Sequence, residues 1–265
     1  MTQLNIGIMG ASGRMGRMLI QATLDNPNTA LKGAFVRSIS SLIGADSGEF
    51  IGVAKTGVPL ATLDLTGVDV LIDFSLPEAL DEVLDACVAN KVPLVMGVTG
   101  LSAEQEAKLT DASQYIAIVY AGNYSTGVNL SLNLLATTAR VLGLDADVEI
   151  IEHHHKHKID APSGTALMMA KAVADARDQH LPNALVYGRH GAAKREKGDI
   201  GMHAIRGGEI IGEHTVEFIM DGEIIAITHK AQSRATFATG AVRAAQWVAA
   251  QPAGLYNMKD VLGLN

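Results

Sequence analysis

The feature that most constrains this chain is a glycine cluster near its start, Gly7-Ile-Met-Gly10-Ala-Ser-Gly13-Arg14-Met15-Gly16. It follows a short apolar run, Leu4 to Met9, and precedes a helical pattern with Met15, Met18, Leu19 and Ala22 on one face. A strand that turns sharply on glycine into a helix suits the first unit of a βαβ series. The helix start exposes free N–H groups and the positive end of its dipole, and glycine lets a pyrophosphate approach closely. The spacing Gly10-x-x-Gly13-x-x-Gly16 departs from the common G-x-G-x-x-G, so its context carries the reading. A tight turn that serves only helix–strand packing is the alternative.

The next segments fit that series. Ala30–Val36, Val68–Phe74, Val92–Met96 and Tyr115–Tyr120 read as strands; Val68–Phe74 is nearly all apolar, as a strand covered on both faces is. Helices are expected from Pro77-Glu78 through Ala89 and from a Ser102 cap onward. After residue 125 the texture changes. A helix over Leu130–Leu144, a strand over Val148–His153, a helix over Ser163–Ala176 and a basic loop over Tyr187–Gly201 are expected. Two strands, Gly208–Met220 and Glu223–Ala231, turn around Asp221-Gly222, and a helix covers Thr236–Ala250. The expected fold is α/β: a Rossmann-type parallel-sheet domain plus a second α+β domain with a mixed sheet.

Composition removes several classes. With 21 Lys and Arg against 28 Asp and Glu the net charge is −7, which argues against broad nucleic-acid binding. One cysteine, Cys87, excludes an intrachain disulfide framework and a thiolate metal cage. No run is long enough to span a membrane, and the N-terminus lacks a signal-peptide pattern, so a cytoplasmic protein is expected.

Where an acidic residue normally meets the adenosine ribose, the sequence reads Phe35-Val36-Arg37-Ser38. Arg37 matches a 2′-phosphate, which favours NADPH; a solvated surface Arg is the alternative. A second cluster, Glu152-His153-His154-His155-Lys156-His157-Lys158-Ile-Asp160-Ala-Pro162-Ser163-Gly164-Thr165, holds four of the nine histidines. Lys156 and Lys158 within it argue against a metal site, and no metal is expected. A cationic cluster beside a Ser-Gly-Thr helix start is an anion trap, and a Lys or His there can donate a proton. If the chain stays extended, His154 and Lys158 share one side.

These residues resemble the dihydrodipicolinate (4-hydroxy-tetrahydrodipicolinate) reductase family. The likeness runs through the segment 149–166 and through Gly10–Gly16, Ile72-Asp73-Phe74-Ser75, Gly97-Val-Thr99-Gly100, Ala121–Asn129, Ala204–His214 and Ser233–Ala241, in order across nearly the whole chain. The resemblance implies reduction of a small cyclic dicarboxylate to tetrahydrodipicolinate with NADPH or NADH, hydride transfer preceding protonation, in lysine/diaminopimelate biosynthesis. It implies His154 and Lys158 as catalytic residues. It places the substrate carboxylates on His155, Lys158, Ser163, Gly164 and Thr165. The cofactor falls to Gly10, Ala11, Ser12, Gly13, Arg14, Met15, Gly16, Phe74, Ser75, Gly97, Thr99, Ala121, Gly122, Asn123 and Tyr124, with Arg37 retained from the phosphate argument. Arg234 becomes a hinge residue. A discontinuous dinucleotide domain (1–125 and 235–265), a substrate-binding and tetramerisation domain (126–234) and a homotetramer complete the expectation. Two departures stand out: Val36 replaces an acidic residue common in the family, and Gly122 replaces a proline. Another Rossmann-type oxidoreductase, or a non-catalytic NADPH sensor, would share the glycine loop, but neither accounts for the 149–166 segment.

Overall fold

The computed structural model describes residues 3–264; the outermost residues of the expected first domain, 1, 2 and 265, lie outside the described residues. In chain order the first elements are β1 (Leu4–Met9), α1 (Arg14–Asp25), β2 (Thr29–Phe35), α2 (Ser47–Ile51), β3 (Leu60–Ala61) and β4 (Val70–Asp73). Then come α3 (Leu80–Asn90), β5 (Leu94–Met96), α4 (Ala103–Ala112), β6 (Ala117–Tyr120) and α5 (Thr126–Leu142). They are followed by β7 (Asp147–His154), α6 (Gly164–Ala176), α7 (Leu181–Ala184), β8 (Leu185–Tyr187), β9 (Ile200–Arg206), β10 (Gly212–Met220) and β11 (Glu223–Ala231). The chain closes with α8 (Ala235–Val248), β12 (Gly254–Tyr256) and α9 (Met258–Leu262). The chain through Thr126 and again from Ala235 forms one compact unit, and Gly127–Arg234 forms a second.

The first unit holds a seven-stranded sheet in the order β12-β6-β5-β4-β1-β2-β3, every pairing parallel. Alternation sorts β4 between two cores. Val70 and Ile72 join Ile6, Ile8, Leu19 and Val95 on one face, whereas Leu71 joins Met9, Val83, Leu94 and Met96 on the other. Burial on both faces explains the continuous apolar runs, and each buried Leu or Ile contributes roughly 2 kcal/mol. Helix α8 packs in the first of these cores through Ala238, Ala241, Val242 and Ala245. A Cβ on Gly240 would collide with the Tyr124 carbonyl oxygen, so glycine allows that helix its close approach. The strand order reverses between β1 and β4, the place where open parallel sheets receive ligands.

The second unit holds a five-stranded mixed sheet, β11-β10-β7-β9-β8. Strands β7, β9 and β8 run parallel, and β10 is antiparallel to both β7 and β11. Along β7, Val148 and Ile150 are buried, with Glu152 and His154 following on the same face. That face packs on α5 and α6 through Leu135, Ala139, Met169, Ala170 and Val173. Register sets Glu152 opposite His214 on β10 and Ala204 on β9, and His154 opposite Arg206.

The sequence reading differs from the fold in several places. The run beginning at Gly208 becomes strand only from Gly212, because Gly208 turns at φ 51° and its carbonyl accepts from the Lys156 N–H instead. Strands β8 and β9 flank the basic segment, where a loop alone is expected from composition. The short elements α2, β3, β12 and α9 carry too little periodicity to stand out.

Candidate functional site

In the first unit the glycine loop closes β1 onto α1. Gly10 adopts φ 78°, and a Cβ there would sit 3.0 Å from the Phe74 carbonyl oxygen; one on Gly16 would strike the carbonyl oxygens of Gly10 and Ala11. Only glycine permits this packing. Gly13 caps α1 without a side-chain hydrogen bond, and the first turn carries no acidic residue, so its amides stay available to an anion. Ala11 and Gly16 are buried, Ser12 and Met15 half-buried, Gly13 and Arg14 exposed. Arg37 is exposed two residues beyond the end of β2, so it is free to meet a phosphate. The cradle therefore fits a dinucleotide pyrophosphate.

The remaining residues of this half gather at the carboxyl ends of β4, β5 and β6. The Phe74 and Tyr124 rings pack at a 52° tilt with centroids 5.4 Å apart, and a Cβ on Gly97 would run into the Phe74 ring. The Tyr124 hydroxyl donates to the Met96 and Val119 carbonyls (2.8 and 2.9 Å), fixing the segment after β6. Asn123 is buried and its Oδ1 accepts the Ser125 N–H at 2.8 Å, whereas Thr99 and Gly122 are exposed. Ala121 is half-buried, and its N–H donates to the Met96 carbonyl at 3.3 Å. Asp73, fully buried at the end of β4, accepts the Ser75 N–H at 2.8 Å. Burial pushes its carboxyl up to about 6 against the hydrogen bonding of Ser75.

In the second unit the chemistry collects where β7 ends and α6 begins. His154 is buried, and its Nδ1 lies 2.5 Å from Glu152 Oε2. Glu152 also accepts Arg206 Nη1 and Nη2, both at 2.8 Å, and the Ser163 N–H at 3.0 Å. Ser163 caps α6: its Oγ accepts the Ala166 N–H and lies 2.9 Å from His214 Nε2. Gly164 has open space around its Cα, so the helix start is approachable. Thr165, half-buried, completes that first turn. Lys158 Nζ donates to both oxygens of Asp160 (2.8 and 2.9 Å). His155 Nε2 accepts from Arg234 Nη2 at 3.3 Å.

The alternation that would align Lys158 with His154 ends with the strand. The Lys158 N–H folds back to the His155 carbonyl, so a turn rather than an extended chain places Lys158, whose charge acts on His154. Burial holds His154 below its usual pKa, and Glu152 only partly offsets it. Burial likewise pushes His214 down to about 4, with the His154 charge adding to it. At neutral pH these two rings are uncharged, and the nearby positive charge sits on Lys158 and Arg206. For Glu152, burial would raise the carboxyl, yet the bonds from Arg206, His154 and Ser163 prevail and hold it below the usual range. Glu152, Arg206 and His214 join the site although the sequence motifs that contain them assign them no role. The i, i+2 spacing of Glu152 and His154 on one strand face was the available signal for the first. Arg206 and His214 come from strands more than 50 residues further along the chain, and pairing register alone brings them in. Among the described residues no cluster of His, Cys, Asp and Glu could hold a metal ion.

Comparison with known proteins covers both units. Sequence profiles described as "Dihydrodipicolinate reductase, N-terminus" and "Dihydrodipicolinate reductase, C-terminus" match residues 4–124 and 127–262. A 4-hydroxy-tetrahydrodipicolinate reductase of Psychrobacter arcticus is 60% identical over 267 residues, 99% of this chain and 96% of that protein. Its counterpart in Acinetobacter baumannii is 52% identical over 264 residues, 98% of this chain and 96% of that one. Among solved structures, a dipicolinate-bound dihydrodipicolinate reductase from Paenisporosarcina sp. TG-14 superimposes with a TM-score of 0.78 at 25% identity, covering 97% of this chain and 98% of that one.

Proposed function

The chain belongs to the dihydrodipicolinate reductase family, and from that premise we propose that it reduces 4-hydroxy-tetrahydrodipicolinate to tetrahydrodipicolinate with a nicotinamide dinucleotide, in lysine/diaminopimelate biosynthesis. The observation that carries this reading is the convergence of His154, Lys158 and the open α6 start at the end of β7. A small cyclic dicarboxylate needs two anion-binding groups and an acid within reach, and that convergence supplies both. The dipicolinate bound by the Paenisporosarcina enzyme supports the same substrate class.

In this reading 1–125 with 235–265 is the dinucleotide domain, and 126–234 binds substrate and assembles a homotetramer in the cytoplasm. Among the described residues no helix is long and apolar enough to cross a membrane. The reduced nicotinamide supplies a hydride when bound. Gly10 to Gly16 hold its pyrophosphate, while Phe74, Ser75, Gly97, Thr99 and Ala121 to Tyr124 line its nicotinamide end. His155, Lys158, Ser163, Gly164 and Thr165 bind the substrate carboxylates. Lys158, an ammonium with three donors, exchanges its Asp160 partner for substrate and delivers the proton, while His154, the second catalytic residue, meets the substrate beside it. Arg234, next to the first residue of α8, serves as the hinge.

The test is a coupled assay in which the synthase generates the unstable substrate in place and nicotinamide absorbance is followed. Synthase-dependent loss of NADPH absorbance is the expected result. No oxidation of NADPH or NADH by folded, cofactor-binding protein would overturn the assignment. Arg37→Ala is expected to weaken NADPH roughly tenfold or more and NADH little, since a guanidinium–phosphate pair is worth about 1.5–3 kcal/mol. Equal losses for both cofactors would remove Arg37 from the 2′-phosphate.

A further inference from the structure

Glu152 is fully buried, yet its two oxygens gather groups from three elements. Oε1 accepts Arg206 Nη2 from β9 and the Ser163 N–H before α6; Oε2 accepts Arg206 Nη1 and meets His154 Nδ1 on its own strand. Arg206, itself one-fifth exposed, is anchored further by the Asp160 carbonyl at 2.6 Å. A carboxylate paired with a guanidinium is ionised, and an ionised carboxylate only accepts hydrogen bonds. The imidazole nitrogen facing it must therefore carry hydrogen. An uncharged ring has one N–H, so the other nitrogen, Nε2, is then a bare lone pair. Nε2 lies over Gly212, 3.0 Å from where a Cβ would stand, and no protein group bonds it among the described residues. Any side chain at 212 would crowd that nitrogen. Gly212 thus leaves open the one ring nitrogen that Glu152 does not hold.

We propose, resting on the reading of His154 as a group that meets the substrate, that Glu152 is a positioning residue. One oxygen locks His154 in the Nδ1–H form with Nε2 presented to the substrate, while the other fixes the Ser163 main chain at the carboxylate-binding start of α6. A single buried carboxylate thereby sets the ring that handles the proton and the helix end that holds the anion in one fixed relation. Orienting groups of this kind act through the tautomer they enforce.

The test is nitrogen-15 NMR of the imidazole rings in the full-length protein at neutral pH, with His154 assigned by the signals lost in His154→Asn. The expected wild-type pattern is a protonated Nδ1 and an unprotonated Nε2. Glu152→Gln keeps the shape but puts an amide donor toward either Arg206 or His154, so the Nε2–H form should appear. In the coupled assay its kcat should fall about 100-fold, while NADPH affinity stays within about twofold because the cofactor residues are elsewhere. A purely structural Glu152 would not shift the tautomer. Finding wild-type His154 with its proton on Nε2 would overturn the proposal, as would a Glu152→Gln variant that keeps both the Nδ1–H form and wild-type kcat. Should that variant fail to fold, the wild-type spectrum decides alone. The spectrum needs no turnover, so an inactive wild-type enzyme would refute the functional reading and leave the tautomer result standing.

Discussion

Asp73 ends strand β4 and Glu152 lies within β7, and neither exposes any surface, yet the protein treats their charges in opposite ways. Asp73 receives the Ser75 N–H on one oxygen, and its Oδ2 meets no donor among the described residues. Burial prevails, and the carboxyl rises to about 6. Glu152 meets the same burial, but four donors, two of them from one guanidinium, hold it ionised below the usual range. Burial alone therefore does not decide whether a carboxyl keeps its charge; the number and charge of its donors do. The first unit keeps a carboxyl that can be neutral. The second keeps a fixed anion at the centre of a polar network.

The largest effect should come from making Glu152 resemble Asp73. Arg206→Ala leaves the buried carboxylate without its cation and is expected to cost about 3–5 kcal/mol, read from urea unfolding at pH 7. The pH dependence should change sign for this group. In the wild type the carboxyl is held below its usual range, so its contribution is present at neutral pH and is lost as acid protonates it. Without Arg206, burial raises the carboxyl, and the variant's deficit should shrink as pH falls and the group takes up a proton. A deficit independent of pH would mean that packing, not charge, is what Arg206 supplies.

The converse substitution tests the other side. Asp73→Asn keeps the oxygen that accepts the Ser75 N–H and removes the ionisable group. The folded pKa of Asp73 lies above its unfolded value, so ionisation costs the wild type stability as pH rises from about 4 to about 6. The variant should match the wild type near pH 4 and exceed it at pH 8 by on the order of 3 kcal/mol. Equal stability at both pH values would show that Asp73 finds compensation in the folded state and that the two carboxyls are less different than their donors suggest.

The comparison also explains what the sequence could disclose. Strands β4, β5 and β6 were legible because burial on two faces demands nearly continuous apolar runs, β1 because it leads into the glycine loop, and α6 because Ser163 opens an apolar helix. Strand β9 was hidden: its end carries His203 and Arg206, whose roles depend on partners in β7. The glycine loop and the His154–Ser163 segment were legible as local patterns. The network around Glu152 was not, because Arg206 and His214 arrive through sheet register, which no local spacing encodes. Asp73 sat inside a recognised motif, but its lone backbone donor is a property of the folded turn.

The smallest expected effect lies at Ser163, where the polar network of Glu152 meets the anion site. Ser163→Ala keeps the backbone N–H that Glu152 holds, so the Glu152 carboxylate should be untouched. It removes the hydroxyl that accepts from Ala166 and meets His214. Loss of the cap should cost about 1 kcal/mol. The kinetic signature separates this position from Glu152: the substrate KM should rise about tenfold, the equivalent of one neutral hydrogen bond, while kcat and the His154 tautomer stay as in the wild type. Ser163 would then act on substrate binding and Glu152 on the ring that handles the proton. If Ser163→Ala instead lowered kcat and left KM unchanged, the hydroxyl would belong with the proton-handling groups, and the Ser163 main chain alone would remain as the link between Glu152 and the anion site.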